Sequence, residues 1–525
     1  MTDDPAERDW IAMLKSERER NITLLSVVFF LLAALRPSAA QTSAAPPASA
    51  AAAYGVAAST RQSAPSGAGT ARGAVPSGAT TGAAPQAPFF GSVPTAQATG
   101  TTLALSLKDA FARALKYNLG IIQSDQSTRA ARAERLRNLS ALLPYLSGQL
   151  STSIQQVNLQ AQGLRLITIP GIPIPTLVGP FSVQDIRGHL SERAFNWSDI
   201  KNWKSASQSE TAAIYSYKSD RDLVVLVIAT AYLQVLSDVA NVESNRAQVR
   251  TNQTIYEQNL DLNKQGVIAS IDVLRAKVQL QSQQQQLIAA ENQLAIDKLT
   301  LARIIGLPNG QQFELTDTVP YSALKAITLE EALRQARATR PDYVAAKAQV
   351  RASELSTQAA AAQNYPSVSL NANYGDIGSP NFGRSHGTFL VEGTLNVPLF
   401  LGTQVRADKL QADSVLEDRK AQFADLDGKI DDQVRTAFLN LRSSSDLVAV
   451  AQSNIDLANQ TLVQAQARFT AGVTNNLEVV QAQQAVAAAN QSYIASLYSY
   501  NSAKILLAQA IGVAEKSGLE YLGVK

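Results

Sequence analysis

The chain has 525 residues, with 46 Lys and Arg against 43 Asp and Glu, two His and no Cys. It is 46% hydrophobic but only 6% aromatic, so it lacks the bulky side chains that fill several globular cores and favours long helices instead. The balanced charge gives no basic surface of the kind that binds nucleic acid. The absence of Cys excludes disulfides, thiolate metal sites and a Cys-linked lipid anchor.

Residues 1–40 are predicted to contain a secretory signal peptide. Basic residues precede a short apolar stretch at 22–35, and the small residues 38–40 form a cleavage site. The apolar stretch is shorter than the ~20 residues that cross a bilayer as a helix. Beyond residue 41 there is no run of 18 uninterrupted apolar residues. Entry of the mature chain into a membrane therefore requires β-strands.

Residues 41–102 are predicted to be a low-complexity flexible segment. They consist largely of Ala, Ser, Gly, Pro and Thr, with almost no charge and few bulky apolar side chains. Such a stretch buries too little surface to offset its chain entropy.

The rest of the chain divides into two similar halves. Residues 107–114 (LKDAFARA) are similar to 329–336 (LEEALRQA), and Gly-Val and Ile-Gly pairs recur at matching distances. Recurrence at fixed spacing indicates a structural repeat. We therefore predict a first repeat over 103–306, an inter-repeat linker over 307–328, a second repeat over 329–515 and a C-terminal tail over 516–525.

Each half is predicted to contain three helical stretches. Apolar periodicity places them at 107–143, 198–265 and 270–305 in the first half, and at 329–365, 403–470 and 475–511 in the second. A helix rises ~1.5 Å per residue, so the longest stretches reach about 100 Å. Two short helices placed end to end would flank one long helix, which makes a wall element too tall for a globular core.

Two predicted strands follow the first helix of each half. Residues 146–154 (LSGQLSTSI) and 368–374 (VSLNANY) alternate between apolar and polar side chains, and 186–190 and 389–397 do so nearly as well. Each is close to the ~9–11 residues of a tilted membrane strand. A half-buried sheet in a soluble sandwich alternates in the same way, so alternation alone leaves both interpretations open. The Pro-rich stretch 167–175 is unfit for a paired strand and is predicted to be a loop.

Aromatic side chains mark the points where predicted strand meets helix, as in the girdle of a membrane barrel: Tyr145, Phe195, Trp197, Tyr365 and Phe400. This placement favours the membrane over the sandwich. Four strands cannot close a barrel, and open edges are not tolerated in lipid, so the chain must oligomerise. Two copies give 8 strands around a nearly filled interior, whereas three give 12 and a water-filled bore. A transport role favours three copies.

Several stretches resemble outer membrane efflux proteins, the TolC-like family. They are 107–115, 329–336, the Leu-Pro-Tyr and Tyr-Pro-Ser junctions at 143–145 and 365–367, 396–400 (NVPLF) and 468–482 (RFTAGVTNNLEVVQA). The resemblance covers about residues 103–515. It implies a mainly α fold class: a trimeric 12-stranded membrane β-barrel continued by a long α-helical barrel, with two structural repeats per chain.

The resemblance also implies a function. The chain would be a passive outer-membrane exit channel that spans into the periplasm, without enzymatic activity, cofactor or bound metal. Its partners would be two further copies of the chain, outer-membrane lipid, a periplasmic adaptor and an inner-membrane transporter, with small molecules as cargo. Type I polypeptide secretion is the alternative.

The resemblance assigns adaptor docking to two helical turns. The first comprises Gly266, Val267, Ile268, Ala269 and Ser270, and the second comprises Gly472, Val473, Thr474, Asn475 and Asn476. Because Gly ends a helix readily in the left-handed conformation, each turn is equally a plain hairpin connection.

The resemblance further indicates a pore constriction beside the turns. Asp272 and Glu478 stand at equivalent places, six residues after their Gly, and the acidic ring of the family favours Glu478. Gln481 occupies the place where a second acid is often found. Thr474 and Asn475 occupy the place of the family's basic partner. We therefore expect a single acidic ring with less negative charge, and a tip that is closed by different contacts.

Two other classes of protein share some of these features. A periplasmic adaptor or structural hairpin protein would have long helical hairpins, but two duplicated hairpins with membrane-type strands argue against it. An enzyme would need a reactive constellation. The only histidines, His189 and His386, lack metal-ligand spacing, and acidic pairs such as Asp431 and Asp432 are typical of solvated helix faces.

Overall fold

The computed structural model describes residues 87–94, 97–161, 175–317, 322, 324, 327–378, 385–471, 473–474 and 476–523. The predicted signal peptide at 1–40, most of the predicted flexible segment at 41–102 and most of the predicted loop at 167–175 lie outside the described residues. The same is true of Gly472 and Asn475.

The first repeat alternates helices with one pair of strands. In chain order it contains β1 (Leu103–Leu105), α1 (Leu107–Tyr117), α2 (Leu119–Ser140), β2 (Tyr145–Asn158), β3 (Leu177–Phe195), α3 (Trp197–Lys264) and α4 (Ser270–Ile304). Short 3-10 turns precede and interrupt the helices, at Ala87–Phe90 and later at Ala362–Asn364.

The second repeat follows the same plan. After β4 (Phe313–Leu315) in the linker come α5 (Leu329–Thr339), α6 (Pro341–Ala361), β5 (Ser367–Gly378), β6 (Ser385–Asn396), α7 (Gln404–Thr470), α8 (Asn476–Ile511) and α9 (Ala514–Leu522). The long helices α3 and α7 have 68 and 67 residues, as their uninterrupted apolar periodicity predicts.

The predicted helices 107–143 and 329–365 are each divided in two. Asn118 and Arg340 adopt extended backbone at equivalent positions of the repeats, between α1 and α2 and between α5 and α6. In the second repeat the cause is Pro341, because the residue before a proline avoids helical conformation. In the first repeat the Asn118 side chain caps α2 by accepting the Gly120 N–H at 2.9 Å.

The four longer strands form one antiparallel sheet in the order β2-β3-β5-β6. Its register pairs apolar with apolar positions, as in Leu146 with Leu190, and polar with polar positions, as in Ser147 with His189. The strands β2 and β3 have 14 and 19 residues, longer than the predicted membrane-strand length, while β5 and β6 each have 12. The short alternating motifs were visible in sequence, but their extensions were not.

Within the described residues, two large apolar clusters hold the helices together, and a small third one, formed by Ala465, Val479 and Ala482, lies near the second tip. The first joins α1, α3 and α4 around fully buried residues such as Ile228 and Leu301. The second joins α5, α7 and α8 around Ile430 and Leu507. The repeated alanines that marked the duplication are fully buried in these clusters: Ala110, Ala114, Ala332 and Ala336.

Three segments differ from the predicted boundaries. Residues 87–94, expected to belong to the flexible segment, pack through Phe89 against the first cluster, and Val93 N–H donates to Tyr117 O at 2.9 Å. The linker contributes β4, which pairs in parallel with β1. The predicted tail at 516–525 lies largely within α9, which buries Ala514 and Leu522 in the first cluster.

One described helix, α3, contains an 18-residue window that is long and apolar enough to cross a membrane by composition alone. Half of that window is buried inside the protein. The apolar stretch of α3 supplies Val224, Ile228 and Tyr232 to the first cluster, which accounts for its composition.

Candidate functional site

The sheet presents one mainly apolar face, here called the apolar sheet face. Because successive side chains of a strand point to opposite sides, the register brings the apolar positions of all four strands to this face. Its side chains are largely exposed, with 70% of Leu150 and 76% of Phe389 accessible. The face includes Leu146, Leu150, Ile154, Ile186, Leu190, Val368, Ala372, Phe389, Val391 and Leu395. An uncovered surface of this size indicates contact with lipid or another apolar partner.

The opposite side, here called the polar sheet face, carries hydroxyl, amide and charged groups. Arg187 forms an ion pair with Asp185, with Nε 2.6 Å from Oδ1. Ser191 donates to the Asn371 side-chain oxygen at 2.9 Å. The sheet therefore has one side suited to lipid and one suited to water, as membrane strands require.

Gly375 lies beside Arg187 on the polar sheet face. A Cβ at this position would lie 2.0 Å from the Ile186 carbonyl oxygen and 2.6 Å from both Cα and Cγ of Arg187. Only a residue without a side chain allows this close approach of β3 to β5.

The five predicted interface aromatics all lie at helix–strand junctions. Phe195 ends β3 and Trp197 begins α3, with their ring centroids 6.2 Å apart. Tyr365 precedes β5, and Phe400, between β6 and α7, is 89% exposed. Contact of these rings with lipid stays a prediction.

Tyr145 differs from the lipid-facing girdle that was predicted. It begins β2 and pairs with Ser191, and strict alternation puts it on the side of Ser147 and Gln149. Its ring therefore lies on the polar sheet face. It is nevertheless exposed and lies at the helix–strand junction, as predicted.

The first tip, Gly266 to Ser270, is a helical hairpin turn. Gly266 has φ +71°, and the Val267 N–H donates to the Leu262 carbonyl oxygen at 2.9 Å. The Asn263 side chain donates to Ile268 O at 2.8 Å and closes the turn. This hydrogen-bonding pattern is that of a helix end closed by a left-handed residue.

The second tip, 472–476, has the same form in its described residues. The Val473 N–H donates to the Arg468 carbonyl oxygen at 3.0 Å, five residues back as in the first tip. Val267 and Val473 are both exposed. The two tips therefore present equivalent apolar side chains.

The acids predicted for the constriction are both held within their own hairpins. Asp272 lies 3.3 Å from the Arg275 guanidinium. Glu478 accepts from the Thr474 hydroxyl and lies 3.4 Å from Arg468 Nε. The predicted residue Gln481 is exposed one turn further along α8.

Arg468 is the functional candidate that the sequence reading missed. The resemblance implies a basic partner after the second Gly, where Thr474 and Asn475 stand instead. The hairpin instead returns α8 alongside the end of α7, so a base ten residues before Glu478 reaches it. Hairpin geometry was the available signal.

A groove of about 380 Å³ separates the two hairpins near the tips. Apolar side chains line it from α4 and α8, namely Ile271, Leu274, Val278, Leu477 and Val480, together with Arg275 and Gln279. Above it, Gln484 donates to the Gln279 side-chain oxygen at 3.1 Å and joins the hairpins.

Comparison with known proteins fits this geometry. The chain is similar to the probable efflux pump outer membrane protein SepC of Pseudomonas putida, with 24% identity over 77% of this chain and 83% of that protein. It is also similar to the probable efflux pump outer membrane protein TtgC of Pseudomonas putida, with 26% identity over 56% of this chain; the match spans only 61% of that relative's length. The alkaline protease secretion protein AprF of Pseudomonas aeruginosa is 23% identical over 63% of this chain and 70% of its own length.

The fold is shared with solved structures. CusC aligns with a TM-score of 0.67 at 18% identity over 80% of this chain and 99% of CusC, and VceC of Vibrio cholerae aligns with a TM-score of 0.66 at 17% identity over 77% and 96%. The model of the family described as outer membrane efflux protein matches residues 110–307 and 332–513, which coincide with the two repeats. The chain therefore belongs to the outer membrane efflux protein family, whose members are TolC-like outer-membrane channels that extend into the periplasm.

Proposed function

We propose that three copies of this chain form the passive exit channel of a tripartite export system. Each copy contributes four strands to a 12-stranded membrane barrel, and the helices form the wall of a tube that crosses the periplasm. The chain performs no chemistry, because an inner-membrane pump supplies the energy and selects the cargo.

The observation that carries the proposal is the exposed apolar sheet face joined directly to helices of 68 and 67 residues. At ~1.5 Å per residue these helices extend about 100 Å from the sheet. The strands β2 and β6 are the outer members of the sheet order. Such edges persist in lipid only when paired with another chain, which supports ring closure by several copies.

The tips are proposed to dock the periplasmic adaptor. The apolar groove between α4 and α8 lies beside them, and the exposed Val267 and Val473 project from the turns. Helical hairpins recognise one another by placing apolar side chains into such grooves. Residues 266–270 and 472–476 are thus the proposed contact with the adaptor.

Small molecules are the proposed cargo. Relatives are named as toluene and antibiotic efflux pump outer membrane proteins. Type I polypeptide secretion is the second candidate, favoured by the similarity to a protease secretion protein. Deletion of the gene distinguishes them: small-molecule export predicts loss of tolerance to toxic compounds, whereas intact tolerance with loss of one secreted polypeptide would favour the alternative.

Paired substitutions on adjacent strand positions test the membrane role. Leu150→Arg places a charge on the apolar sheet face and is expected to prevent insertion, since an Arg facing lipid costs about 2–4 kcal/mol near the midplane. Ser151→Arg, on the polar sheet face one residue away, is expected to insert normally. Fractionation of outer membranes with immunoblotting measures both.

Equal insertion of the two variants would contradict a lipid-facing sheet. Recovery of the wild-type chain as a detergent-independent monomer would favour a periplasmic adaptor or structural hairpin protein.

A further inference from the structure

Two aspartates face each other across the pairing of α3 and α4. Asp238 of α3 is only 5% exposed, and its Oδ1 accepts from Gln234 Nε2 at 3.0 Å. Asp297 of α4 is half-buried, and its Oδ2 accepts from Gln293 Nε2 at 2.9 Å. Each carboxyl group is thus held by a glutamine one turn earlier on its own helix, in a matched arrangement.

The other carboxylate oxygen of Asp238, Oδ2, faces the Asp297 carboxylate, which is also a hydrogen-bond acceptor when ionised. Oδ2 is buried without a hydrogen-bond donor in the described part of the chain, and the Asp297 carboxyl lies within hydrogen-bonding reach. Two ionised carboxylates cannot satisfy each other, because neither carries a hydrogen. Burial, followed by the interaction with Asp297, raises the pKa of Asp238 to about 7.

Among the described residues, no base forms an ion pair with Asp238 or Asp297. On α4, Lys298 is directed to the Phe313 carbonyl oxygen at 3.5 Å, and on α3 the nearest base toward the tip, Arg246, pairs with Glu291 at 2.8 Å. Between 479 and 503, α8 carries no Asp, Glu, Lys, Arg or His, and its titratable side chains there are tyrosines. The segment 87–94 is uncharged.

A metal ion does not fit the site. Ca²⁺ takes about 6–8 oxygen ligands, and even Mg²⁺ needs an octahedral set. The described residues contain no group of three or more His, Cys, Asp or Glu side chains that could hold a metal. A proton between the two carboxyl groups satisfies the orphan oxygen more simply.

The second repeat shows that the fold does not require this pair. At the tip-aligned offset of 206 residues, Asp238 corresponds to Ser444 and Asp297 to Ala503. Both are buried, and the Ser444 hydroxyl donates to the Leu441 carbonyl oxygen at 3.0 Å. The same helix pairing is therefore built without any charge, and the acids are a feature of the first repeat.

We propose that Asp238 and Asp297 share one proton and that loss of this proton weakens the pairing of α3 with α4. Asp238 lies 26 residues before Lys264, the last residue of α3, which is about 40 Å along the helix from the first tip. The pair makes the first hairpin sensitive to periplasmic pH, while the second hairpin is not.

Infrared spectroscopy of the purified full-length chain in detergent tests the shared proton. The wild type is expected to show the carbonyl band of a protonated carboxyl group at pH 5.5, lost with a midpoint near pH 7. In Asp238→Asn the band is absent. In Asp297→Asn the new amide donates to Asp238, which then ionises at lower pH. Absence of the band from the wild type, or its persistence in both variants, overturns the proposal.

Hydrogen exchange tests the weakened pairing. The folded chain holds a proton that the opened state releases, so opening becomes easier as pH rises toward 7 and then levels off. After correction for the intrinsic rate, amides of α3 and α4 near the pair should lose protection by at most about tenfold per pH unit, the limit for one proton. A flat profile in the wild type overturns the second part of the proposal.

Two further variants control this experiment. Glu243→Gln removes an exposed acid from α3 that takes no part in the pair, and it should keep the wild-type pH profile. Asp238→Ser combined with Asp297→Ala installs the residues of the second repeat, which guards against misfolding of the single variants. This double variant should lose the pH dependence while retaining the helix pairing; a wild-type profile in it contradicts the proposal.

Discussion

At the scale of single residues, the sheet depends on a missing side chain at Gly375. The backbone of β3 approaches so closely that a Cβ there would overlap the Ile186 carbonyl oxygen at 2.0 Å. On β6, Gly393 has nothing within 4 Å of an added Cβ. The two glycines therefore have different roles in the same sheet.

Gly375→Ala is expected to destabilise the sheet by about 1–3 kcal/mol, the usual cost of overpacking. Gly393→Ala should be close to neutral, because its new methyl group meets no atoms. Thermal unfolding of the purified variants in detergent, followed by circular dichroism, measures the difference. Equal melting of the two variants would show that the strands adjust to the extra carbon.

The buried amine of Lys504 makes the stability of the fold depend on pH. It is fully buried, with Nζ 3.1 Å from the Ser322 hydroxyl oxygen and 4.7 Å from the centre of the Tyr500 ring. Burial lowers the pKa of Lys504 to about 8. Between that pH and the ordinary value of 10.5 the unfolded chain binds more protons, so the free energy of unfolding rises with pH across this window.

Lys504→Met is expected to remove this rise, which is on the order of 3 kcal/mol at about 1.4 kcal/mol per pKa unit. Apparent Tm between pH 7.5 and about 10 measures it, as the difference between wild type and variant. Lys516→Met, at an exposed position of α9, should retain the wild-type slope. Parallel slopes for all three proteins would contradict the role of burial.

At the scale of elements, the second tip joins Glu478 to Arg468 across the turn between α7 and α8. Both side chains remain partly exposed, at 57% for Arg468 and 40% for Glu478. An exposed pair of this kind contributes little stability, typically 0–1 kcal/mol. We expect the pair to affect the electrostatic potential at the mouth of the channel instead.

Substitutions at this pair should shift ion selectivity in opposite directions. Glu478→Gln removes the acid and is expected to lower the preference for cations, whereas Arg468→Gln frees the acid and is expected to raise it. Reversal potentials in planar bilayers under a KCl gradient measure both. Shifts of the same sign would exclude Glu478 from the narrow part of the pore.

The elements themselves were predictable to different degrees. The long helices α3 and α7 begin and end within one or two residues of the predicted bounds, because apolar periodicity continues unbroken between a strand junction and a Gly turn. The break at Arg340 had a signal in Pro341 that the periodicity masked. The break at Asn118 depends on a side-chain cap that composition does not show.

The two faces of the sheet were predictable because they follow from alternation along each strand. Contacts between residues that are distant in sequence were not predictable, because they form only when the chain folds back on itself. Alternation in 146–154 and 368–374 predicted both sheet faces. The pairing of Arg468 with Glu478 arises only when the hairpin closes. Likewise Asp238 and Asp297 are 59 residues apart and meet only across packed helices.

At the scale of the whole molecule, ring closure is the expectation that can be tested most directly. The chain has no Cys, so introduced cysteines report one contact at a time. Ser151→Cys on β2 combined with Thr394→Cys on β6 should give cross-linked species of two and three chains with a bifunctional thiol reagent. Species of four or more chains would contradict the trimer.

The single-cysteine variants serve as controls for this experiment. With one thiol per chain, a cross-link joins at most two copies, so no species of three can form. Native mass spectrometry in detergent should independently give three chains per complex.

The helix α9 makes the packing of the first repeat depend on residues that follow both repeats. It adds Ala514 and Leu522 to the cluster of the first repeat, its Glu515 N–H donates to Asp222 Oδ1 at 2.8 Å, and Glu515 also pairs with Arg221. Synthesis delivers these residues only after both repeats have been made. A polypeptide released before α9 is made would therefore leave apolar side chains of the first cluster uncovered in its N-terminal half.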